Sequence, residues 1–393
     1  MRLLATCSLG GSGHWLPLAG FLRAALQPGD EAVVVAPPAL SEMVEREGFR
    51  FEAGAEPPEA DVAPIRERLP TEAPDVAAVL GNRVLFAELA ATAMLPHVDA
   101  ACARWNPDVV VRDPCEYAAA IVAGNRSIRS AQVAISQATV EWSSLGIASP
   151  ALEQHRPGLT TEIASAPYLS RFPALADPSP FPTTMRYHIR RSTAPEPVPD
   201  WWGAKGSTST TSGARKIPPL VYVTFGTVLP YMSFAADAYR FALAALSSLD
   251  ARVLITVGRN FPVDHLGPLP ANAHVESWFD QDRALRDASV VVCHGGSGTL
   301  LGAIEANVPL VVMPFFSDQR SNAGLVDRYR LGRVVAPTSS PDGRRPTFDQ
   351  ADARQLSNSV EELLAHRNIA DGFSAITASW EATSPPAQVL AGV

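Results

Sequence analysis

Val290-Val291-Val292-Cys293-His294-Gly295-Gly296-Ser297-Gly298-Thr299 is the stretch on which the fold turns. The β-branched run reads as a buried strand, and the glycines that follow break it before apolar spacing resumes as a helix near 298–306. Glycine lets a backbone approach an anion closely. A helix start offers unpaired N–H groups and a positive dipole end, and His294 and Thr299 add side-chain donors. A strand-to-helix turn needs glycine in any case, so the turn alone fits either a phosphate site or a plain connection. The histidine favours the phosphate, because a structural turn gains little from it.

Outward from this stretch the same alternation repeats. Strands at 221–226, 252–257, 274–279, 290–293 and 310–314 interleave with helices near 233–248, 281–287, 298–306 and 319–329, and a long helix lies within 349–366. Short apolar strands among amphipathic helices mean a parallel sheet covered on both faces. Upstream, Leu3-Leu4-Ala5-Thr6, the break at Gly10-Gly11-Ser12-Gly13, helical spacing from Trp15 to Leu26 and Glu31-Ala32-Val33-Val34-Val35 open a second βαβ layer. Val109-Val110-Val111 extends it, ending at Arg112-Asp113-Pro114 before a helix from Tyr117 to Ala123. Between about 195 and 219, Pro195, Pro197 and Pro199, a Ser/Thr run within Gly203 to Gly213 and Pro218-Pro219 read as a linker, with disorder expected over Gly203–Gly213.

The expectation is an α/β chain of two facing, doubly wound Rossmann-like domains. The first covers 1–200, a flexible linker 201–219, the second 220–372, and a C-terminal segment 373–393 is expected to cross back to the first. Open parallel sheets bind ligands beyond the C-terminal ends of their strands, so reactive residues belong on strand-to-helix loops, in a cleft between the domains.

Composition narrows the function. The 393 residues carry 40 acidic and 32 basic side chains, a net charge of −8, without basic runs beyond Arg190-Arg191 and Arg344-Arg345. Nucleic acid and anionic membrane surfaces are therefore not expected partners. With 47% hydrophobic and 18% charged residues, each domain has material for a core. Cys7, Cys102, Cys115 and Cys293 form no CxxC pair and have no His at zinc-ligand spacing, so neither a disulfide framework nor a metal is expected. Reduced thiols in a cytoplasm are the corresponding expectation. Leu4-Ala5-Thr6-Cys7 faintly echoes a lipoprotein cleavage site, but with six residues before the cysteine an export signal is not expected. No run approaches the roughly 18 uninterrupted apolar residues of a membrane span. In Gly11-Ser12-Gly13, Leu16 stands where a dinucleotide oxidoreductase needs its third glycine, which argues against that class.

Thr224-Phe225-Gly226-Thr227, Trp278-Phe279-Asp280-Gln281, His294 to Thr299, Pro309 and Asp318-Gln319, in that order, resemble the nucleotide-sugar signature of the UDP-glycosyltransferase-like (GT1-type) family with the GT-B fold. Gly13-His14-Trp15-Leu16-Pro17 resembles its Gly-His-x-x-Pro start. The His-Gly-Gly-Ser-Gly-Thr version is most similar to bacterial members that glycosylate polyketides, macrolides and enediynes. The resemblance is specific over about 220–332, clear at 1–20 and 105–124, and poor over 40–100 and 130–215, which in the family form the acceptor pocket. Phe86, Met94, Trp142, Phe172, Phe181 and Tyr187 are candidates for its lining, or for ordinary core.

The resemblance implies that His14 is the general base and Asp113 its acidic partner. Elementary chemistry agrees: histidine ordinarily protonates nearest neutrality, and a carboxylate fixes its tautomer and stabilises the imidazolium. The plain alternatives are a helix-start histidine and a turn-forming aspartate before proline. On the donor side the resemblance implies the nucleobase against Trp278 and the Phe279 backbone with Gln281 nearby, the diphosphate on Thr227, His294, Gly298 and Thr299, and sugar hydroxyls on Asp318 and Gln319. Gly13, Gly296 and Ser297 complete the donor set. Here too a Trp is ordinarily core and an Asp before a helix ordinarily its N-cap. Gly302 stands where plant members carry a ribose-binding Glu, which suits bacterial relatives using dTDP-deoxysugars.

The implied reaction is a single in-line displacement with inversion, without metal or cofactor beyond a dTDP- or UDP-linked nucleotide-sugar co-substrate. The expected partners are that donor and a small aglycone acceptor, with a homodimer entertained as the assembly. The alternatives are an inactive auxiliary partner of a glycosyltransferase and a GT-B nucleotide-sugar epimerase.

Overall fold

The computed structural model describes residues 1–9, 11–69, 71–189, 217–339, 346–365, 370–381 and 383–393. Gly10 and nearly all of the expected linker, including Gly203–Gly213, lie outside the described residues. The first unit is built on β1 (Arg2–Thr6), β2 (Glu31–Ala36), β3 (Arg50–Ala53), β4 (Val109–Arg112), β5 (Arg129–Val133), β6 (Tyr168–Ser170) and β7 (Thr184–Arg186). They pair in the order β3-β2-β1-β4-β5-β6-β7, all parallel. Parallel strands need helical crossovers on both faces, so the central strands must be apolar throughout. Leu3, Leu4, Ala5 and Val109 to Val111 are accordingly buried. Alternate residues serve two cores: Leu3, Ala5, Val109 and Val111 meet Trp15, Leu18 and Phe21, while Leu4 and Val110 meet Met94, Val98 and Val122.

The second unit carries β8 (Leu220–Thr224), β9 (Arg252–Thr256), β10 (Ala273–Glu276), β11 (Ala288–Cys293), β12 (Leu310–Val312) and β13 (Gly332–Val334). Their order is β10-β9-β8-β11-β12-β13, again all parallel. The elements expected after 220 are present within a few residues of the expected limits. In each sheet the chain works outward on one side and then returns to the other. Strand order therefore reverses between β1 and β4 and between β8 and β11, where Thr6 pairs with Arg112 and Thr224 with Cys293. Loops diverging from such a point leave a crevice at the strands' C-terminal ends.

The compact units are Met1–Ile189 with Ala378–Val393, and Arg190–Thr377, so the divisions fall at 189/190 and 377/378 instead of 200/201 and 372/373. Apolar burial explains the late return. Trp380 stacks on His188 at 4.9 Å and its indole N–H donates to the Arg171 carbonyl at 2.6 Å. Val389 and Leu390, on helix Pro386–Ala391, join the core around Phe21 and Tyr187.

The helical run Pro74–Trp105 is long and apolar enough to cross a membrane by length and composition alone. It contains no 18 uninterrupted apolar residues, because Asn82, Arg83, Glu88, His97 and Asp99 break it. Arg83 and Glu88 pair inside it at 3.1 Å, and Met94, Val98, Ala101 and Cys102 pack against sheet residues of the first unit.

Replacing Trp380 by Ala removes a buried indole together with its hydrogen bond. Urea unfolding should show a loss of about 3–5 kcal/mol, against which an unchanged midpoint would argue that the C-terminal return is incidental to the first unit.

Candidate functional site

Gly11, at φ 62°, starts the helix Ser12–Ala25, and His14 lies in its first turn with its N–H bonded to the Gly11 carbonyl at 3.2 Å. Asp113 follows β4 across the reversal point. Its buried carboxylate receives His14 Nδ1–H at 3.2 Å and the Cys115 N–H at 2.7 Å on Oδ1, and the Ser8 N–H at 2.6 Å on Oδ2. Burial alone would push this carboxyl up, but His14 and the two backbone donors outweigh it and hold it below the ordinary carboxylate range. Asp113 is thus ionised at neutral pH. The plain readings and the chemical one hold together: His14 is a helix-start residue, Asp113 organises its turn, and the two form a bonded pair.

The pair sits on a dense polar foundation that the sequence did not signal. Arg112 is buried and donates to the carbonyls of Asp113 and Pro114, both at 3.0 Å, and to Gln132 Oε1 at 3.1 Å. Glu116 caps helix Tyr117–Arg126 by accepting the Ala119 N–H at 2.9 Å, and also receives the Thr6 hydroxyl at 3.0 Å. Its burial pushes its carboxyl up to about 7. Phe86 stacks on the His14 ring at 5.5 Å.

In the second unit, the β11 loop runs through Gly295 at φ 86° into helix Ser297–Glu305, whose N-cap, Gly296, has no side chain to satisfy the first N–H groups. A Cβ on Gly226 would lie 2.6 Å from His294 Nε2 and one on Gly296 only 2.4 Å from it. The two glycines therefore form a slot for the imidazole. Burial drives His294 down to about 4, against a weaker opposing hydrogen bond to the Thr224 backbone, and its Nδ1 is buried without a partner among the described residues. At neutral pH His294 offers a neutral ring and no cation.

In the same unit, hydrogen bonds involve five residues of the expected donor set, Gln281, Ser297, Thr299, Asp318 and Gln319. Ser297 Oγ donates to Asp318 Oδ2 at 2.7 Å and Thr299 Oγ1 to Gln281 Oε1 at 3.1 Å. Gln319 Oε1 accepts the N–H groups of Phe315 and Phe316 at 2.8 and 3.1 Å. Asp318 holds the N-cap position of helix Gln319–Arg328, yet its side chain turns to Ser297 and Asn322 and does not cap. Asn322, fully buried, reaches the Gly295 carbonyl, Ser297 Oγ and Asp318 Oδ2 at 2.8, 3.1 and 3.0 Å, and was missed in the sequence although Asp318-x-x-x-Asn322 places both on one helix face. Thr227 and Gly298 are exposed at the same sheet end, and Gly13 is an exposed residue of the first unit. Trp278 is 54% exposed with Arg259 stacked on it at 4.8 Å, so it is not core, and Phe279 lies near the Arg283 guanidinium at 5.9 Å.

Residues 240–391 match the family described as "Erythromycin biosynthesis protein CIII-like, C-terminal domain". This C-terminal region is EryCIII-like. Demethyllactenocin mycarosyltransferase of Streptomyces fradiae is 26% identical over 362 residues, 88% of this chain and 73% of that protein. Elloramycin glycosyltransferase ElmGT of Streptomyces olivaceus is 33% identical over 165 residues, 40% of this chain and 42% of that protein. The chain spans about two fifths of the length of the first curated relatives it matches. Spinosyn rhamnosyltransferase SpnG, at 20% identity, superposes with a TM-score of 0.77 over 100% of this chain and 99% of its own, and establishes the GT-B fold. SpnG has been solved with thymidine diphosphate and with spinosyn aglycone.

Outside the EryCIII-like region the pocket-lining candidates divide between core and surface. Of the pocket-lining candidates, Met94, Phe172, Phe181 and Tyr187 are buried core, whereas Trp142 is 40% exposed, edge-on to Phe181, and Phe86 is half-buried on His14. His14, Asp113 and Cys115 place ligand atoms within 4.8 Å of one another. Chain spacing hides this, since His14 and Asp113 are 99 residues apart. Within the EryCIII-like region, Asp280-Gln281-Asp282 has Asp-x-Asp spacing, but Asp280 is spent as an N-cap on the Arg283 N–H at 2.7 Å.

The lowered titration of His294 fixes a pH dependence. An unfolded histidine protonates near 6.5, while folded His294 stays neutral down to about 4. Between those values the unfolded chain holds the extra proton, so stability falls as pH drops through this window. Thermal unfolding from pH 7 to 4 should show that decline, and His294→Gln should flatten it.

Proposed function

We propose that this protein is an inverting, metal-independent glycosyltransferase that moves a sugar or deoxysugar from a dTDP- or UDP-linked donor to a hydroxyl of a small apolar secondary-metabolite acceptor. The observation that carries this reading is the His14–Asp113 bond, 3.2 Å long with the carboxylate fully buried. With Nδ1–H committed to an ionised aspartate, the basic lone pair is on Nε2. There the acceptor hydroxyl gives up its proton as its oxygen attacks the anomeric carbon and the bond to the diphosphate breaks, with inversion. Asp113 stabilises the imidazolium that results.

The departing diphosphate carries the electron pair and needs preorganised donors. The uncapped N–H groups at the start of helix Ser297–Glu305 provide them. His294 lines the same turn as a neutral ring whose single N–H is directed at the Thr224 backbone. Asp318 and Gln319 are assigned to the sugar hydroxyls and the exposed Trp278 ring to the nucleobase, as an aromatic face suits. No cofactor is required beyond the donor itself. The names of the natural-product glycosyltransferases above and the SpnG complexes support this assignment. The intact His14–Asp113 pair favours catalysis over an auxiliary role.

Calorimetric titration with UDP, dTDP, GDP and NAD⁺ should give selective binding of UDP or dTDP; binding of NAD⁺ alone would sink the assignment. His14→Ala should lower transfer by roughly 10²–10⁴ with nucleotide affinity retained, whereas His294→Ala should weaken the nucleotide. Equal loss of binding in both variants contradicts this division of roles. Turnover should survive EDTA; a loss restored by Mg²⁺ refutes metal independence.

A further inference from the structure

We propose that His14, Asp113 and Cys115 form a binding site for a thiophilic divalent cation, Zn²⁺ being the best fit, and that its occupancy switches the base off. Their ligand atoms lie within 4.8 Å of one another, and Nδ1 and Oδ1 are 3.2 Å apart. Two N/O ligands on a tetrahedral zinc stand about 3.3 Å apart, and such a ligand and a thiolate about 3.6 Å apart, by the usual bond lengths. The first pair already has that spacing. Cys115 Sγ need close by on the order of 1 Å, within the reach of a side-chain rotation.

The donor set is chemically selective. One imidazole, one carboxylate and one thiolate suit a borderline-soft ion and not Mg²⁺ or Ca²⁺. Three protein ligands leave the fourth position to water. Cys7, Cys102 and Cys293 are buried, but Cys115 is not, and His14 is also partly open, so an ion has access. The turn that aims the carboxylate through the Cys115 N–H also delivers the sulfur.

Occupancy has a defined chemical consequence. Coordination at Nδ1 uses that nitrogen's lone pair, so the ring's single proton moves from Nδ1 to Nε2 through water, and only the thiol proton is released. Nε2, the atom that must accept the acceptor's proton, is then already protonated. The ion thus removes the base by tautomer.

This inhibitory consequence rests on the proposed transferase activity, whereas the binding does not. Reduced, metal-free full-length protein is titrated with Co²⁺, then with Zn²⁺ in competition. One Co²⁺ should bind with a near-ultraviolet thiolate charge-transfer band that Zn²⁺ abolishes. Cys115→Ser should lose the band and bind Zn²⁺ at least roughly tenfold more weakly, while keeping the basal transfer rate and resisting zinc. A band that persists in Cys115→Ser, or wild-type protein that binds neither ion, overturns the site. Zinc binding of the expected kind in a protein without transferase activity would leave the site standing and refute the proposed function instead.

Discussion

Reversal of strand order is the constraint on which everything else rests. A parallel sheet can be wound outward on only one side at a time, and where winding changes side, adjacent strands send their loops in opposite directions. The first sheet does this between β1 and β4, the second between β8 and β11. His14 and Asp113 flank the first reversal, and Gly226 and His294 the second. Residues remote in sequence meet there because the ladders hold Thr6 beside Arg112 and Thr224 beside Cys293.

Electrostatics then separates two histidines in equivalent topological positions. His14 faces an anion whose charge is held by two backbone N–H groups, so its Nδ1 proton is oriented. His294 sits between two glycines and a backbone carbonyl, without a carboxylate, and burial decides its state.

How much of this could be read beforehand varied with the physics of each region. After residue 220, strands are continuous apolar runs and helices are bounded by polar turns, so the elements and most of the donor network were legible, including Ser297, Thr299 and Asp318-Gln319. The run Pro74–Trp105 was not, since alanine-rich helix shows weak periodicity. Nor was β7, a short, half-buried edge strand. Asp113 was visible from its place after a strand, but Arg112 and Glu116 were not, because a charge at a strand end reads as solvated until its partners are known. The neutrality of His294 was equally hidden: it comes from burial in a glycine slot, which only the fold creates. Trp380 and the late return of the chain rest on contacts across 209 residues, beyond any local pattern.

The glycine slot also bears on the history of the chain. Gly226, at φ 75°, is held to glycine by its backbone, whereas Gly296 has φ −62° and ψ 142°, angles open to any residue. The atoms nearest a Cβ at position 296 are those of the imidazole, from 2.4 Å. A lineage that lost the histidine would be free to fill position 296 with a side chain, and that side chain would then bar the histidine from returning. Loss of His294 acts as a ratchet.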